Sequence, residues 1–306
     1  MDMASRITKS RRLVLAVSAM VASASGLGGC GSDGAVFPFQ TSPPTSPPET
    51  FIVVEGRPLR RRGRLMVARS RCRARSVLRM AIPGIDSRRR ATLASHWRRL
   101  AELEHASIVA FEQLHGQLAR LDAPDHLLEG CIRASRQEAD HADRCFALAS
   151  RYEGATVTPG RLRVRGIPVP SLVSVATDSL RDGVLNEGYA AWVADQQLLF
   201  ATDPQVVATL RTIARDEAEH AQLSWSIMGW CATRGGEQVR RALLDEALVL
   251  PHLTPSPSVG DTALAAHGLS NVDMDGTGCD RLRTAVVERL IDFLPDTICK
   301  SSKFDT

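Results

Sequence analysis

Aromatic residues are scarce in this 306-residue chain, at 5% of the total. That is too few for a base-stacking nucleic-acid surface and low for a β-sandwich, and it suits an Ala/Leu-rich helical protein. Long apolar runs are missing as well: the stretch from Leu13 to Val21 is too short to span a bilayer. With 44% hydrophobic and 24% charged residues, 22 Gly and 16 Pro, the composition argues against a wholly disordered chain, a collagen-like repeat and a multi-span membrane protein. The length allows one or two domains. A strong net charge is also absent, the formal total being +4. That mild total hides a segregation along the chain. Residues 1–29 carry +3, residues 30–50 carry −2, residues 51–90 carry +11 from 13 Arg against Glu55 and Asp86, and the remainder carries −8. A basic arm is attached to an acidic body.

The first 29 residues read as an export signal. Arg6, Lys9, Arg11 and Arg12 precede the apolar run, and small residues follow it up to Leu27-Gly28-Gly29-Cys30. Leu-Gly-Gly-Cys resembles the lipobox of bacterial lipoproteins, which implies acylation of Cys30 and anchoring at the cell envelope, on the periplasmic side of a membrane if the cell is Gram-negative. Ser10-Arg11-Arg12-Leu13-Val14-Leu15 looks like a twin-arginine export signal, and the plain export route stays open beside it. Residues 37–48 hold Pro-Pro twice among Ser and Thr, the composition of an extended spacer. The Arg-rich stretch from Arg57 to Arg90 is expected to be a solvated arm, with anionic lipid headgroups or the acidic body as alternative contacts. Nucleic acid is not expected as a partner, because no recognisable binding fold accompanies the basic residues.

From about residue 91 the apolar period is helical. Leu93, Trp97, Leu100, Glu104, Ile108, Phe111, His115 and Leu118 form one stripe. Leu128, Cys131, Ser135, Glu138, His141, Cys145 and Leu148 form a second, after Asp122-Ala-Pro124. Tyr152 to Pro170 has no period. A third stripe holds Leu172, Ala176, Leu180, Gly183, Glu187, Ala191, Ala194 and Leu198, and a fourth holds Val206, Leu210, Ile213, Glu217, His220, Ser224, Ile227 and Cys231. The fourth helix opens on Asp203-Pro204, a good N-cap with proline at the first helical position. Thr233-Arg-Gly-Gly236 is expected to close it. The organisation predicted is all-α: residues 91–233 form two helical hairpins joined by one long crossover, and residues 234–306 form a helical extension near Glu237–Leu250 and Arg281–Leu294.

An acid in the middle of an apolar stripe is costly unless it is paired or binds metal. Each stripe holds one carboxylate at core phase: Glu104, Glu138, Glu187 and Glu217. The second and fourth add a histidine three residues later on the same face, His141 and His220. Glu-x-x-His by itself is weak, since it also occurs at Glu102/His105 and Glu112/His115, and phase separates the pairs. Folding the first hairpin at residue 123 sets Glu104 opposite residue 142, beside His141. Folding the second at about residue 202 sets Glu187 opposite residue 218, beside Glu217. One Glu from each of two helices and Glu-x-x-His from the other two is the donor set of a dinuclear carboxylate site. The alternative is a buried salt-bridge network. Asp140 and Glu219, each one residue before a histidine, are candidate hydrogen-bond partners of the ligands. Cys131, Cys145 and Cys231 read as buried small apolar residues. Cys279 and Cys299 could form a disulfide, and Cys72 has no evident partner.

Glu104-His-Ala-Ser-Ile-Val-Ala-Phe111, Gln137-Glu-Ala-Asp-His-Ala142 and Asp216-Glu-Ala-Glu-His-Ala221 resemble the ferritin-like superfamily, which includes bacterioferritin, rubrerythrin, manganese catalase and the di-iron oxygenases. The likeness covers about residues 92–233 and implies a ferritin-like four-helix bundle with terminal ligands Glu104 and Glu187 or a bridging variant, bridging Glu138 and Glu217, and imidazoles from His141 and His220; which carboxylates bridge is left open by the sequence. Carboxylate oxygens with one imidazole per position suit two iron ions, or manganese as the alternative. The expectation is an exported, lipid-anchored di-iron oxidoreductase using oxygen or peroxide. Ferritin- or bacterioferritin-type iron oxidation, manganese catalase and a degenerate bundle serving as a surface module are the other readings. The substrate and the oligomeric state stay open, a dimer being allowed.

Overall fold

The computed structural model describes residues 56–61, 64–73, 82–162, 166–250, 260–269 and 276–294, with side chains of the last stretch from Arg281 onward. The export signal, Cys30, the Pro-rich spacer, Cys299 and the side chain of Cys279 lie outside these residues. The described chain is mostly helical, as the stripes predict, with a few short strands. Among the described residues no helix is long and apolar enough to cross a membrane.

Helix α1 (Ser87–Arg120) starts on Asp86, whose carboxylate accepts from the Arg89 amide at 2.8 Å. A tight turn follows, with Asp122 at φ 54°, and α2 (Asp125–Glu153) runs back along α1 until Gly154, at φ 71°, ends it in the left-handed conformation. Helix α3 (Leu172–Asp178) starts on a capping box between Ser171 and Ser174. The chain then passes through a π-helical segment, Ser179–Leu185, into α4 (Asn186–Leu198). Helix α5 (Pro204–Leu248) has Asp203 as N-cap, accepting from the amides of Gln205 and Val206. It packs against α3, the π segment and α4 on one side and against α2 on another.

Two helices differ from the expected pattern. The third is one stripe in sequence, yet every residue from Asp182 to Ala191 is buried. A regular helix with one solvent face cannot bury ten successive residues, and the wider π turns rotate this segment so that it meets packing partners all round. The fourth helix breaks at Gly236, the expected stop, where φ is 55° and ψ −139°. The segment expected as a separate helix then continues from it to Leu248. Past residue 260, α6 (Thr262–Ala266) and α7 (Gly276–Phe293) lie at opposite ends of the body. The Trp97 indole donates to the carbonyl of His267 just after α6, whereas Phe293 of α7 packs edge-on against Trp225.

The described part of the basic stretch is anchored to the body rather than wholly solvated, although Arg61, Arg64, Arg69, Arg71 and Arg88 stay exposed. Arg57, Leu59 and Ala68 are buried, and Leu59 sits on Ala106 and Ala110 of α1. Arg60 pairs with Asp182 of the π segment, Nε to Oδ1 3.2 Å. Strand β1 (Arg60–Arg61) pairs with β2 (Arg64–Leu65), and β3 (Arg71–Arg73) pairs antiparallel with β4 (Thr156–Thr158), which lies in the aperiodic link between α2 and α3. Contact with the acidic body, the alternative reading, is what occurs. The reason is that Leu59 packs against Ala106 and Ala110 of α1 while Arg60 reaches Asp182 beside it.

The apolar interior falls into two clusters. One gathers Leu93, Trp97, Leu100, Cys145, Leu148, Tyr152 and Leu210, and the other Phe111, Leu118, Cys131, Leu180, Trp225, Ile227 and Cys231. The three stripe cysteines are fully buried in these clusters, as expected, and burial pushes the Cys131 and Cys231 thiols up to about 12. Between the clusters lies a polar layer.

If the arm packs as described, Leu59→Ala removes a buried side chain and lowers unfolding free energy by roughly 2–5 kcal/mol. Urea denaturation of the two proteins measures this, and a change below about 0.5 kcal/mol, the level typical of an exposed residue, would show a solvated arm instead.

Candidate metal centre

The polar layer consists of the six residues expected from the stripes. Glu104 on α1, Glu138 and His141 on α2, Glu187 on α4 and Glu217 and His220 on α5 are each at most 1% exposed. They form two groups of four whose donor atoms lie within 4.8 Å of one another: Glu104, Glu138, His141 and Glu217 in one, Glu138, Glu187, Glu217 and His220 in the other. Glu138 and Glu217 belong to both.

The geometry has an approximate two-fold character. His141 Nδ1 is 3.6 Å from Glu104 Oε2, 3.7 Å from Glu138 Oε2 and 3.5 Å from Glu217 Oε1. His220 Nδ1 is 3.3 Å from Glu138 Oε1, 3.7 Å from Glu187 Oε2 and 3.9 Å from Glu217 Oε2. Each shared carboxylate therefore turns one oxygen to each imidazole, whereas Glu104 and Glu187 each serve one side. The ring centroids are 6.2 Å apart. The hairpin register places Glu104 beside His141 and Glu187 beside Glu217, as the folding points predict.

Nine buried atoms of these six residues have no hydrogen-bond partner: Oε2 of Glu104, both oxygens of Glu138, Glu187 and Glu217, and Nδ1 of His141 and His220. Native interiors leave few buried polar atoms unsatisfied, and a cluster this dense has the donor chemistry of a cation site. The imidazoles are held from behind. His141 Nε2 donates to Asp216 Oδ2 at 3.1 Å, and His220 Nε2 donates to Gln137 Oε1 at 3.0 Å. Both partners accept, so both rings keep the proton on Nε2 and present Nδ1 to the centre.

These two partners are missing from the expected set. Asp140 points outward to Arg144, 2.7 Å away, and Glu219 accepts from Gln137 Nε2 at 3.1 Å rather than from a ligand. Asp216 and Gln137 each stand just before a ligand glutamate on the neighbouring helix. A helical wheel of either helix alone does not show that crossing. The rejected motif pairs stay outside: Glu102 accepts from the Ser70 amide and hydroxyl, and Glu112 is exposed. His115, at core phase, is only half-buried.

The arm forms a wall over the Glu104 end. Gly56 has φ 77°, and a Cβ there would stand 3.1 Å from Ser107 Oγ and 3.6 Å from Glu104 Oε2. Ser107 Oγ donates to the Arg57 carbonyl at 2.8 Å. The Arg57 guanidinium lies over Phe111, 5.5 Å from the ring centroid, and Phe111 in turn packs on His220. Gly183 makes room for this, since a Cβ there would collide with Ser224 Oγ and stand 2.9 Å from Arg57 Nη1.

Protons balance the charge when no cation is bound. Burial, reinforced by the charge of Glu138, raises Glu104 well above the usual carboxylate range, and burial with the charge of Glu217 does the same to Glu187. Burial also opposes ionisation of Glu138 and Glu217, but the close approach of both imidazoles, and of the Glu187 carboxyl for Glu217, outweighs it. Both of these carboxyls are held low. Burial opposes the histidinium forms as well, and the surrounding carboxylates overcome it and raise both imidazoles. With Glu104 and Glu187 protonated and both rings imidazolium, the states these directions favour, the six groups sum to no net charge. Two divalent cations replacing four protons preserve that balance.

No family model, curated protein or solved structure matches the chain. What the fold and the layer define together is a mostly helical protein with buried glutamate and histidine groups able to hold a metal ion.

Proton exchange makes the charge balance measurable. Divalent metal binding near neutral pH is expected to release up to four protons, one each from Glu104, Glu187, His141 and His220. Calorimetric titration in buffers of different ionisation heat counts them, and metal uptake without proton release would contradict the protonated centre. The sign for the metal-free protein follows. These four groups bind protons more tightly folded than unfolded, so their contribution to stability falls as pH rises from about 5 to 8, while His96, which burial lowers to about 4, contributes in the opposite sense below about 6.5.

Proposed function

We propose that this chain is a ferritin-like protein with a dinuclear iron centre and that it acts as an oxidoreductase on dioxygen or peroxide. The observation that carries the reading is the sharing of Glu138 and Glu217 between two groups, each completed by its own glutamate and imidazole. Terminal roles for Glu104 and Glu187 and bridging roles for Glu138 and Glu217 fit the contact pattern, in which only the shared pair faces both histidines. The donor set is rich in hard oxygen with one nitrogen per position, which suits iron and, as the alternative, manganese. When bound, such ions supply open positions and a change of charge at which oxygen or peroxide is reduced.

The protein's own part is positioning and exclusion. Asp216 and Gln137 orient the imidazoles, the two apolar clusters keep bulk water from the layer, and Gly56 and Ser107 close the space over Glu104. The four carboxylates match the charge of two divalent ions, so loading leaves no excess charge in a low-dielectric interior. The export signal and Leu27-Gly28-Gly29-Cys30 extend the proposal to a protein held at the cell envelope by lipid on Cys30.

Metal analysis of the purified protein is expected to find two ions per chain, and replacement of both Glu138 and Glu217 by Ala is expected to abolish them. Fewer than about one ion per chain, or retention of metal by the double variant, would falsify the centre. Adding ferrous iron and oxygen separates the activities: ferric accumulation in a multimer favours storage, and peroxide disproportionation with manganese favours a catalase. Cys30→Ala is expected to move the protein from the membrane fraction to the soluble fraction, and an unchanged distribution would remove the lipid anchor.

A further inference from the structure

The two halves of the layer are alike in every ligand and unlike in what stands behind the histidines. Gln137–Ala142 and Asp216–Ala221 share Glu, Ala, His and Ala and differ only at the first and fourth positions. The first position is the one that crosses to the other helix. Asp216 backs His141 with a carboxylate, 3.1 Å from Nε2, and Gln137 backs His220 with a neutral amide oxygen, 3.0 Å from Nε2. The difference is built in on both sides. Arg215 holds the other oxygen of Asp216, Nη2 to Oδ1 2.7 Å, and so keeps Oδ2 aimed at the ring. Glu219 accepts from Gln137 Nε2 at 3.1 Å, which turns the amide so that its oxygen, not its nitrogen, faces His220.

A histidine that donates to a carboxylate is a stronger electron-pair donor through its other nitrogen than one that donates to an amide, because the anion draws the proton away from the ring. Both rings are nearly sealed from solvent, so water does not stand between them and the groups behind them, and Arg215 compensates the Asp216 charge only from its outer side. We propose that the two metal positions are unequal: the one served by Glu104 and His141 binds a divalent cation first and more tightly, and the one served by Glu187 and His220 binds second and exchanges more readily. Asp216 and Gln137 are the positioning residues that set the order. The inference rests on the dinuclear reading above and adds to it a filling sequence that ligand identity alone does not contain.

The test is a titration of the metal-free full chain with Mn2+, counting free ion by electron paramagnetic resonance. Two steps are expected, separated by about ten-fold or more in affinity. Asp216→Asn keeps an acceptor behind His141 and removes only the charge. It is expected to weaken the first step by about 10- to 100-fold and bring the two together. The paired change Gln137→Glu with Glu219→Gln gives His220 a carboxylate and gives that carboxylate an amide donor, and it is expected to tighten the second step. A merely structural role for these residues would weaken both steps and would not produce the gain. Two equivalent positions in the unaltered protein, or an unmoved first step in Asp216→Asn, would overturn the inequality while leaving the dinuclear centre in place. Absence of any bound Mn2+ would instead overturn the dinuclear reading itself, and the inequality with it.

Discussion

Four carboxyls and two imidazoles buried within a few ångströms of each other, away from water, set the terms for the rest of this molecule. An ionised side chain in such surroundings costs several kcal/mol unless opposite charge and hydrogen bonds compensate it. The protein divides its interior to hold them, with one apolar cluster around Trp97 and Tyr152 and another around Phe111 and Trp225. The polar layer lies between the two. Each long helical segment crosses that layer once and contributes one carboxylate to it. The connections follow from the same demand. The tight turn at Asp122 and the short link from Leu199 to Asp203 set the register in which Glu104 meets His141 and Glu187 meets Glu217, and a slip of one residue would rotate a carboxylate about 100° out of the layer.

Compensation reaches beyond the six residues. Asp216 and Gln137 use the outer nitrogens of the imidazoles, and those two are themselves oriented by Arg215 and Glu219 at the surface. The layer is thus connected to solvent through two short chains of hydrogen bonds that keep a proton on the outer nitrogen of each ring. Proton and cation are alternative ways of satisfying the same acids, and this links the proposed metal chemistry to the stability of the fold. A cation that binds the folded chain and not the unfolded one stabilises it by mass action, and it does so more as pH rises.

The π-helical segment and the basic arm act on the same end of the layer. The π turns bring Gly183 against Ser224, and the space left by the missing Cβ admits Arg57 from the arm. The arm then runs over Ser107 and Glu104 and is tied down through Leu59 and Arg60. Arg57 and Arg60, which look like part of a solvated run in one dimension, become part of a wall in three, because the groups that receive them, Ser224 and Asp182, lie more than a hundred residues away.

The helical character of the chain, the depth of Glu104, Glu138, His141, Glu187, Glu217 and His220, the position of Glu102 and Glu112 off the stripe, and the breaks at Pro124, Pro204 and Gly236 are all legible along the chain. Each of these follows from a period of three to four residues or from a local capping preference, and such information sits within one helix or one turn. That Asp216 and Gln137, and not Asp140 and Glu219, stand behind the histidines, that the third helix widens into π turns, and that Leu59 and Arg60 of the basic arm pack on the body emerges only when the helices are assembled. Each of those depends on which face of a helix meets which neighbour across a crossing. That choice is made by packing between segments far apart in the chain, and no local pattern records it.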